Sequence, residues 1–200
     1  ISGLCQDLKD VEIYLPSYGD ILDIEIRVNK EAELSKLELQ DDINILYYGS
    51  SITQGCCSSN PSLSYPSIIY RKNKLPFINL GFSGQGLGDE DIAHYISEVG
   101  PSIIILDFWA NPTVEAYREM LPKFIKILRD NLPNAYILVN ETFYGSGRID
   151  KQNASKEKDL ISSNTVSELK DGGDERIFFV SGLFSFSDSN GLVDGRHLNS

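Results

Sequence analysis

Five short apolar runs, separated by amphipathic stretches, limit what this chain can fold into more than any other feature. They are Ile43–Tyr48, Phe77–Phe82, Ile103–Phe108, Ala135–Val139 and Arg176–Val180. Each is rich in Ile, Val, Tyr or Phe and is bounded by Gly, Pro, Asn or Asp. Runs this short and continuous read as strands buried on both faces, the pattern of a parallel sheet. Parallel neighbours need crossover connections, and the segments between the runs supply helices. Ile92, Ile96 and Val99 share one face of Asp89–Val99. Val114, Tyr117, Leu121, Phe124, Ile125 and Leu128 form a stripe along Thr113–Asp130. Pro122 inside that stripe predicts a kink or a later helix start. Pro66–Arg71 is a shorter helix candidate, and Lys151–Asp171 is a polar one closed by Gly172-Gly173. Repeated β-α units with right-handed crossovers predict an α/β fold, a three-layer α/β/α sandwich around a five-stranded parallel sheet. Ligands in such folds bind beyond the carboxyl ends of the strands.

The first 42 residues follow a different period. Leu22, Ile24, Ile26 and Val28 alternate with Asp23, Glu25 and Arg27, and Val11, Ile13 and Leu15 alternate in the same way. Pro16-Ser17-Tyr18-Gly19-Asp20 between them is a turn signal, so Glu12–Val28 reads as a β-hairpin. A lone hairpin is marginal in water, so this one has to pack on the α/β unit or belong to a larger β unit. The expected division is 1–42 for the β segment and 43–200 for the α/β domain.

Length and charge then remove several classes of function. The chain has 200 residues, with 41 % apolar side chains, enough for a core. Its 18 basic and 29 acidic side chains give a net charge of −11, which repels phosphate backbones and argues against nucleic acid as a partner. No apolar run approaches the roughly 20 residues of a membrane span. No signal peptide led by Lys or Arg is visible, and the first residue is Ile1, which suggests a processed or trimmed start. Secretion or the periplasm is the favoured compartment, though no residue fixes it. The three cysteines, Cys5, Cys56 and Cys57, show no metal-ligand spacing, and adjacent Cys56 and Cys57 are strained partners for a disulfide. Two Asn-x-Ser/Thr triplets, at Asn140 and Asn153, match the glycosylation sequon, a pattern that arises often by chance. The only histidines are His94 and His197. His94 lies about 200° around its helix from Ile92, on the polar face.

Four small motifs follow the first, second, third and fifth strands. After the first stands Gly49-Ser50-Ser51-Ile52-Thr53-Gln54-Gly55. Glycine permits a sharp turn, and a helix start offers free N–H groups to a developing oxyanion; a helix-capping Ser-rich loop looks the same. After the second stands Gly81-Phe82-Ser83-Gly84-Gln85-Gly86, whose small residues allow a ligand close to the backbone or simply make a turn. Beyond the third, in Asp107-Phe108-Trp109-Ala110-Asn111-Pro112, Asn111 either donates its amide into a site or ends the loop before a helix. Trp109 and Tyr144, after strands three and four, are a sugar-stacking platform or ordinary core aromatics. Beyond the fifth, in Asp194-Gly195-Arg196-His197, a carboxylate three residues before a histidine can hold Nδ1–H and leave Nε2 to a nucleophile. An exposed charged turn reads the same way in isolation. The combination is far more specific than any one segment, because each falls where the fold puts its ligands.

In these motifs the sequence resembles the SGNH (GDSL-type) hydrolases over about residues 43–199, with the family's flavodoxin-like α/β/α fold. The resemblance makes Ser51 the nucleophile, His197 the general base and acid, and Asp194 its orienting partner. It assigns the oxyanion hole to the Ser51 and Gly84 backbone N–H groups and the Asn111 amide. It implies no metal and no cofactor. Ser50 stands where the family usually has Asp, and Trp109-Ala110-Asn111-Pro112 replaces the usual Gly-x-Asn-Asp. The Gly-Ser-Ser-Ile-Thr-Gln-Gly wording is similar to a subgroup that carries a β-sandwich before the hydrolase domain, and the 1–42 hairpin resembles the tail of such a sandwich. The chain stops three residues after His197, where the family continues into a last helix, so that helix is expected to be lacking.

The implied activity is hydrolysis of a short-chain ester, such as an acetyl ester, of a carbohydrate or other polyol through an acyl-enzyme. The alternatives are an acyltransferase using the same triad and a catalytically inactive carbohydrate-binding module. A flavodoxin-like binding module is the remaining fold alternative, but no Gly-x-Gly-x-x-Gly or P-loop spacing follows the first strand. The oligomeric state has no signature in the sequence.

Overall fold

The computed structural model describes residues 10–36, 43–142 and 149–181. Five strands within them form one parallel sheet in the order β2-β1-β3-β4-β5. They are β1 Ile45–Gly49, β2 Phe77–Gly81, β3 Ile103–Asp107, β4 Tyr136–Asn140 and β5 Ile177–Val180. Every strand lies on one of the apolar runs. The helices are α1 Ser51–Gln54, α2 Tyr65–Asn73, α3 Glu90–Val99, α4 Val114–Asn131 and α5 Ile149–Asp171, with a 3-10 turn at Pro61–Leu63.

The strand order decides the layers. The crossover from β1 to β2 runs one way across the sheet, and the crossover from β2 runs back past β1 to β3. With right-handed connections, α2 therefore lies on the face opposite to α3, α4 and α5. Packing agrees. Tyr47 on one face of β1 meets Tyr65 of α2 edge-on at 5.6 Å, and Tyr48 on the other face stacks on Phe124 of α4 at 4.9 Å. The core fills the space between the sheet and α3–α5. Leu46, Tyr48, Ile104, Leu106, Ile137 and Val139 meet Ile96, Leu121, Phe124, Ile125 and Leu128 there, each at most 1 % exposed. On the α2 face, Tyr136 and Phe178 stack at 6.4 Å beside Leu138 in an apolar trough open to solvent among the described residues. The expectation about a last helix concerns chain outside the described residues.

Two expectations are corrected. Pro122 does not mark a later start of α4, which runs from Val114 through it to Asn131. Pro122 is exposed, so the carbonyl of Arg118 that loses its helical partner faces the solvent side, where water can satisfy it. The hairpin is absent from residues 10–36, which carry a bend at Ser17–Gly19 but no strand. Val11, Ile13, Leu22, Ile24 and Ile26 are 52–94 % exposed, so the alternating rows are not covered by the described residues. Polar contacts tie this segment to the domain instead. Glu12 pairs with Lys74 at 2.9 Å, and Gln54 Nε2 donates to the Ser17 carbonyl at 2.8 Å.

Candidate active site

Three strands end level with one another: Gly49 of β1 is in register with Gly81 of β2 and with Asp107 of β3. The order of the sheet reverses between β1 and β3, the point beyond which loops diverge and ligands bind in folds of this kind. Ser51 is the first residue of α1 and is 6 % exposed. Ser50 caps that turn, its Oγ accepting the Ile52 N–H at 3.3 Å. The Ser51 carbonyl accepts the N–H groups of Gly55 at 3.1 Å and Cys56 at 2.8 Å, which closes the turn. With one turn only, α1 has little dipole; what it supplies is the position of the serine.

The loop after β2 is pinned at both ends. The Phe82 N–H donates to the Gly49 carbonyl at 2.9 Å, and Gln54 Oε1 accepts the Ser83 N–H at 2.8 Å. Gln85 and Gly86 both donate to the Phe82 carbonyl at 3.0 Å. The tight turn leaves Gly84 exposed with φ +72°, a left-handed conformation that glycine adopts without steric cost. The Gly86 N–H then donates to Asn111 Oδ1 at 3.2 Å. Its acceptor end thus engaged, the Asn111 amide is oriented so that the Nδ2 hydrogens are the end left to donate. A Cβ on Gly86 would stand 2.4 Å from the Gly49 carbonyl oxygen and 3.4 Å from Asn111 Oδ1, so only glycine fits between these loops.

Beneath the site lies a buried carboxylate that sequence reading passed over. Asp107, 2 % exposed, accepts hydrogen bonds from Thr53 Oγ1 at 2.9 Å, the Tyr65 hydroxyl at 2.9 Å and Trp109 Nε1 at 2.8 Å. The Asn140 side chain also bonds to it. Burial pushes the carboxyl up to about 6, against the opposing pull of these donors. Thr53 lies two residues after Ser51, so the network fastens the turn that carries Ser51 to α2, to the loop after β3 and to β4. The available signal was an Asp ending a buried strand directly before an aromatic pair. Asn140 is 4 % exposed and engaged by Asp107, so it is not an accessible glycan acceptor in this fold. Trp109 is a core aromatic, 7 % exposed.

Of the expected site residues, the structure brings Ser51, Gly84 and Asn111 to one edge of the sheet, linked through Gly49 and Gly86. Asp194, His197 and Tyr144 lie outside the described residues, as does Cys5. His94 is exposed on α3. The sulfurs of Cys56 and Cys57 stand 3.2 Å apart. Among the described residues, no group of three or more His, Cys, Asp or Glu side chains is placed to hold a metal ion, and no helix is long and apolar enough to cross a membrane.

The sequence profile of the GDSL-like Lipase/Acylhydrolase family matches residues 42–200. No curated protein matches the sequence. Among solved structures, the chain is similar to one described as a GDSL-like lipase from Bacteroides ovatus, at 28 % identity and a TM-score of 0.78, covering 86 % of this chain and 52 % of that one. A salicylyl-acyltransferase from a tetracycline biosynthetic pathway is similar at 18 % identity and a TM-score of 0.66, covering 78 % of this chain and 49 % of its own. A family two carbohydrate esterase from Clostridium thermocellum is similar at 17 % identity and a TM-score of 0.62, covering 83 % and 61 %. The chain thus spans about half the length of the first two structures it matches. At these identities the last two establish the fold.

Proposed function

Because the chain belongs to the GDSL-like Lipase/Acylhydrolase family, we propose that it is a serine esterase removing short acyl groups, acetyl above all, from a carbohydrate or other polyol. One observation carries this reading. Ser51, the Gly84 turn and Asn111 follow the level ends of β1, β2 and β3, and the Gly86 N–H on Asn111 Oδ1 leaves the amide's N–H groups to donate. Ser51 Oγ attacks the ester carbonyl while His197 takes its proton and Asp194 holds the imidazole. The Ser51 and Gly84 N–H groups and Asn111 Nδ2 bind the tetrahedral oxyanion, where loss of a single donor typically lowers kcat by about 10²–10³. His197 returns the proton to the leaving alcohol, and water then resolves the acyl-enzyme by the same route. Structural likeness to carbohydrate esterases supports a sugar ester as substrate. Likeness to an acyltransferase supports a second outcome, in which an alcohol acceptor replaces water at the acyl-enzyme. Residues 1–42 fit the same proposal as the tail of an N-terminal β domain, since the exposed alternating rows within 11–28 suit pairing with strands outside the described residues.

The experiment is turnover of acetylated sugars and of aryl esters of rising chain length. Ser51→Ala and His197→Ala should each abolish turnover while leaving the circular dichroism spectrum unchanged. Full turnover by Ser51→Ala refutes the assignment. Transfer to an added alcohol in preference to water selects the acyltransferase.

A further inference from the structure

We propose that Lys158 is a positioning residue for the oxyanion hole, holding the loop that carries Asn111 from below; the inference rests on the hydrolytic reading above. Lys158 projects from α5, a helix whose polar sequence gives no hint of a buried cation, yet the residue is 7 % exposed. Its Nζ donates to the Trp109 carbonyl at 2.7 Å and to the Pro112 carbonyl at 2.6 Å. It also stands 5.9 Å from the centre of the Tyr117 ring. The two carbonyls flank Ala110-Asn111, so one ammonium gathers both ends of the segment and Asn111 is carried at its tip.

Both bonds are charge-assisted and short, hence stronger and more directional than ordinary amide contacts. Burying an ammonium is costly unless such partners surround it, so a lysine here is not a neutral filler of space. On its other side the loop is held through the side chain, by the Gly86 N–H on Asn111 Oδ1 at 3.2 Å. The amide is thus fixed at one end from the loop after β2 and carried at the other by a backbone that Lys158 holds from α5. A donor that must meet an oxyanion within hydrogen-bond distance requires such fixing, because a displacement of about 1 Å can cost about 10²-fold in rate.

The test is a double-mutant cycle on a short-chain aryl acetate. K158M should lower kcat about 10- to 100-fold and change KM less than about 2-fold. It should also shift the emission of Trp109, the only tryptophan of the chain, because its carbonyl loses the ammonium. Added to N111A, the same substitution should lower kcat by less than about 2-fold more, since its effect runs through an amide already removed. K158R should restore most of the loss. An equal loss in both backgrounds, or unchanged kcat in K158M, overturns the proposal. If S51A keeps turnover or N111A loses none, the hydrolytic reading fails and this one with it; if both lose turnover and K158M does not, only the role of Lys158 fails. Should K158M not fold, K158Q, whose neutral amide is one atom shorter and keeps at most one of the two bonds, carries the same cycle with a smaller loss that again vanishes in the N111A background.

Discussion

Replacing Asp107 by asparagine tests the balance that sets up the buried network. The carboxyl ordinarily titrates at 3.8 and in the fold is held at about 6, because burial outweighs four donors. Between those values the folded protein keeps a proton that the unfolded chain has released. Stability therefore falls as pH rises through that interval, and it is flat on either side with respect to this group. A gap from 3.8 to about 6 corresponds to about 3 kcal/mol. The Asp107→Asn substitution keeps the shape: the new amide's carbonyl can accept from Trp109 Nε1, and its N–H groups can donate to the Thr53 and Tyr65 hydroxyls, which accept as readily as they donate. Urea unfolding followed by circular dichroism, from about pH 4 to about pH 7.5, gives the stability of both proteins. The wild-type value minus the Asp107→Asn value should fall by about 2.5 kcal/mol over this range, most steeply below about pH 6. A difference independent of pH would mean that the carboxyl is not held up. A difference that grows with pH would mean that the four donors outweigh burial, and either result refutes the reasoning.

Two further substitutions probe the site's surroundings. Gly86→Ala sets a methyl group 2.4 Å from the Gly49 carbonyl oxygen, so the loop must move. Unfolding should show a loss of about 1–3 kcal/mol, and kcat should drop as the Gly86–Asn111 bond is broken. Thr113→Ala removes the cap of α4, whose Oγ1 accepts the Ala116 N–H at 3.2 Å. It should cost about 1 kcal/mol in urea unfolding.

The sheet could be read from the sequence because burial on both faces is a local property of a strand. Ile103–Asp107 is apolar throughout its length except at the end, where Asp107 closes the strand, and a reader needs no neighbour to see that. The same locality explains the positions of Ser51, Gly84 and Asn111, since each follows a strand within a few residues. It also explains the failure over Glu12–Val28. Alternation reports that one face wants cover, but whether any surface supplies it depends on residues far along the chain.

Sequence alone determined the five strands, the parallel α/β class and which loops stand beyond the carboxyl ends of the strands, because short-range periodicity carries all three. Only the tertiary structure decided what those loops rest on. Asp107 draws donors from Thr53, Tyr65, Trp109 and Asn140, and Lys158 reaches Trp109 and Pro112 across 49 and 46 residues. A polar side chain buried among partners from other elements looks, in sequence, like any exposed Asp or Lys. Its burial depends on where other parts of the chain come to lie, and no local pattern encodes that.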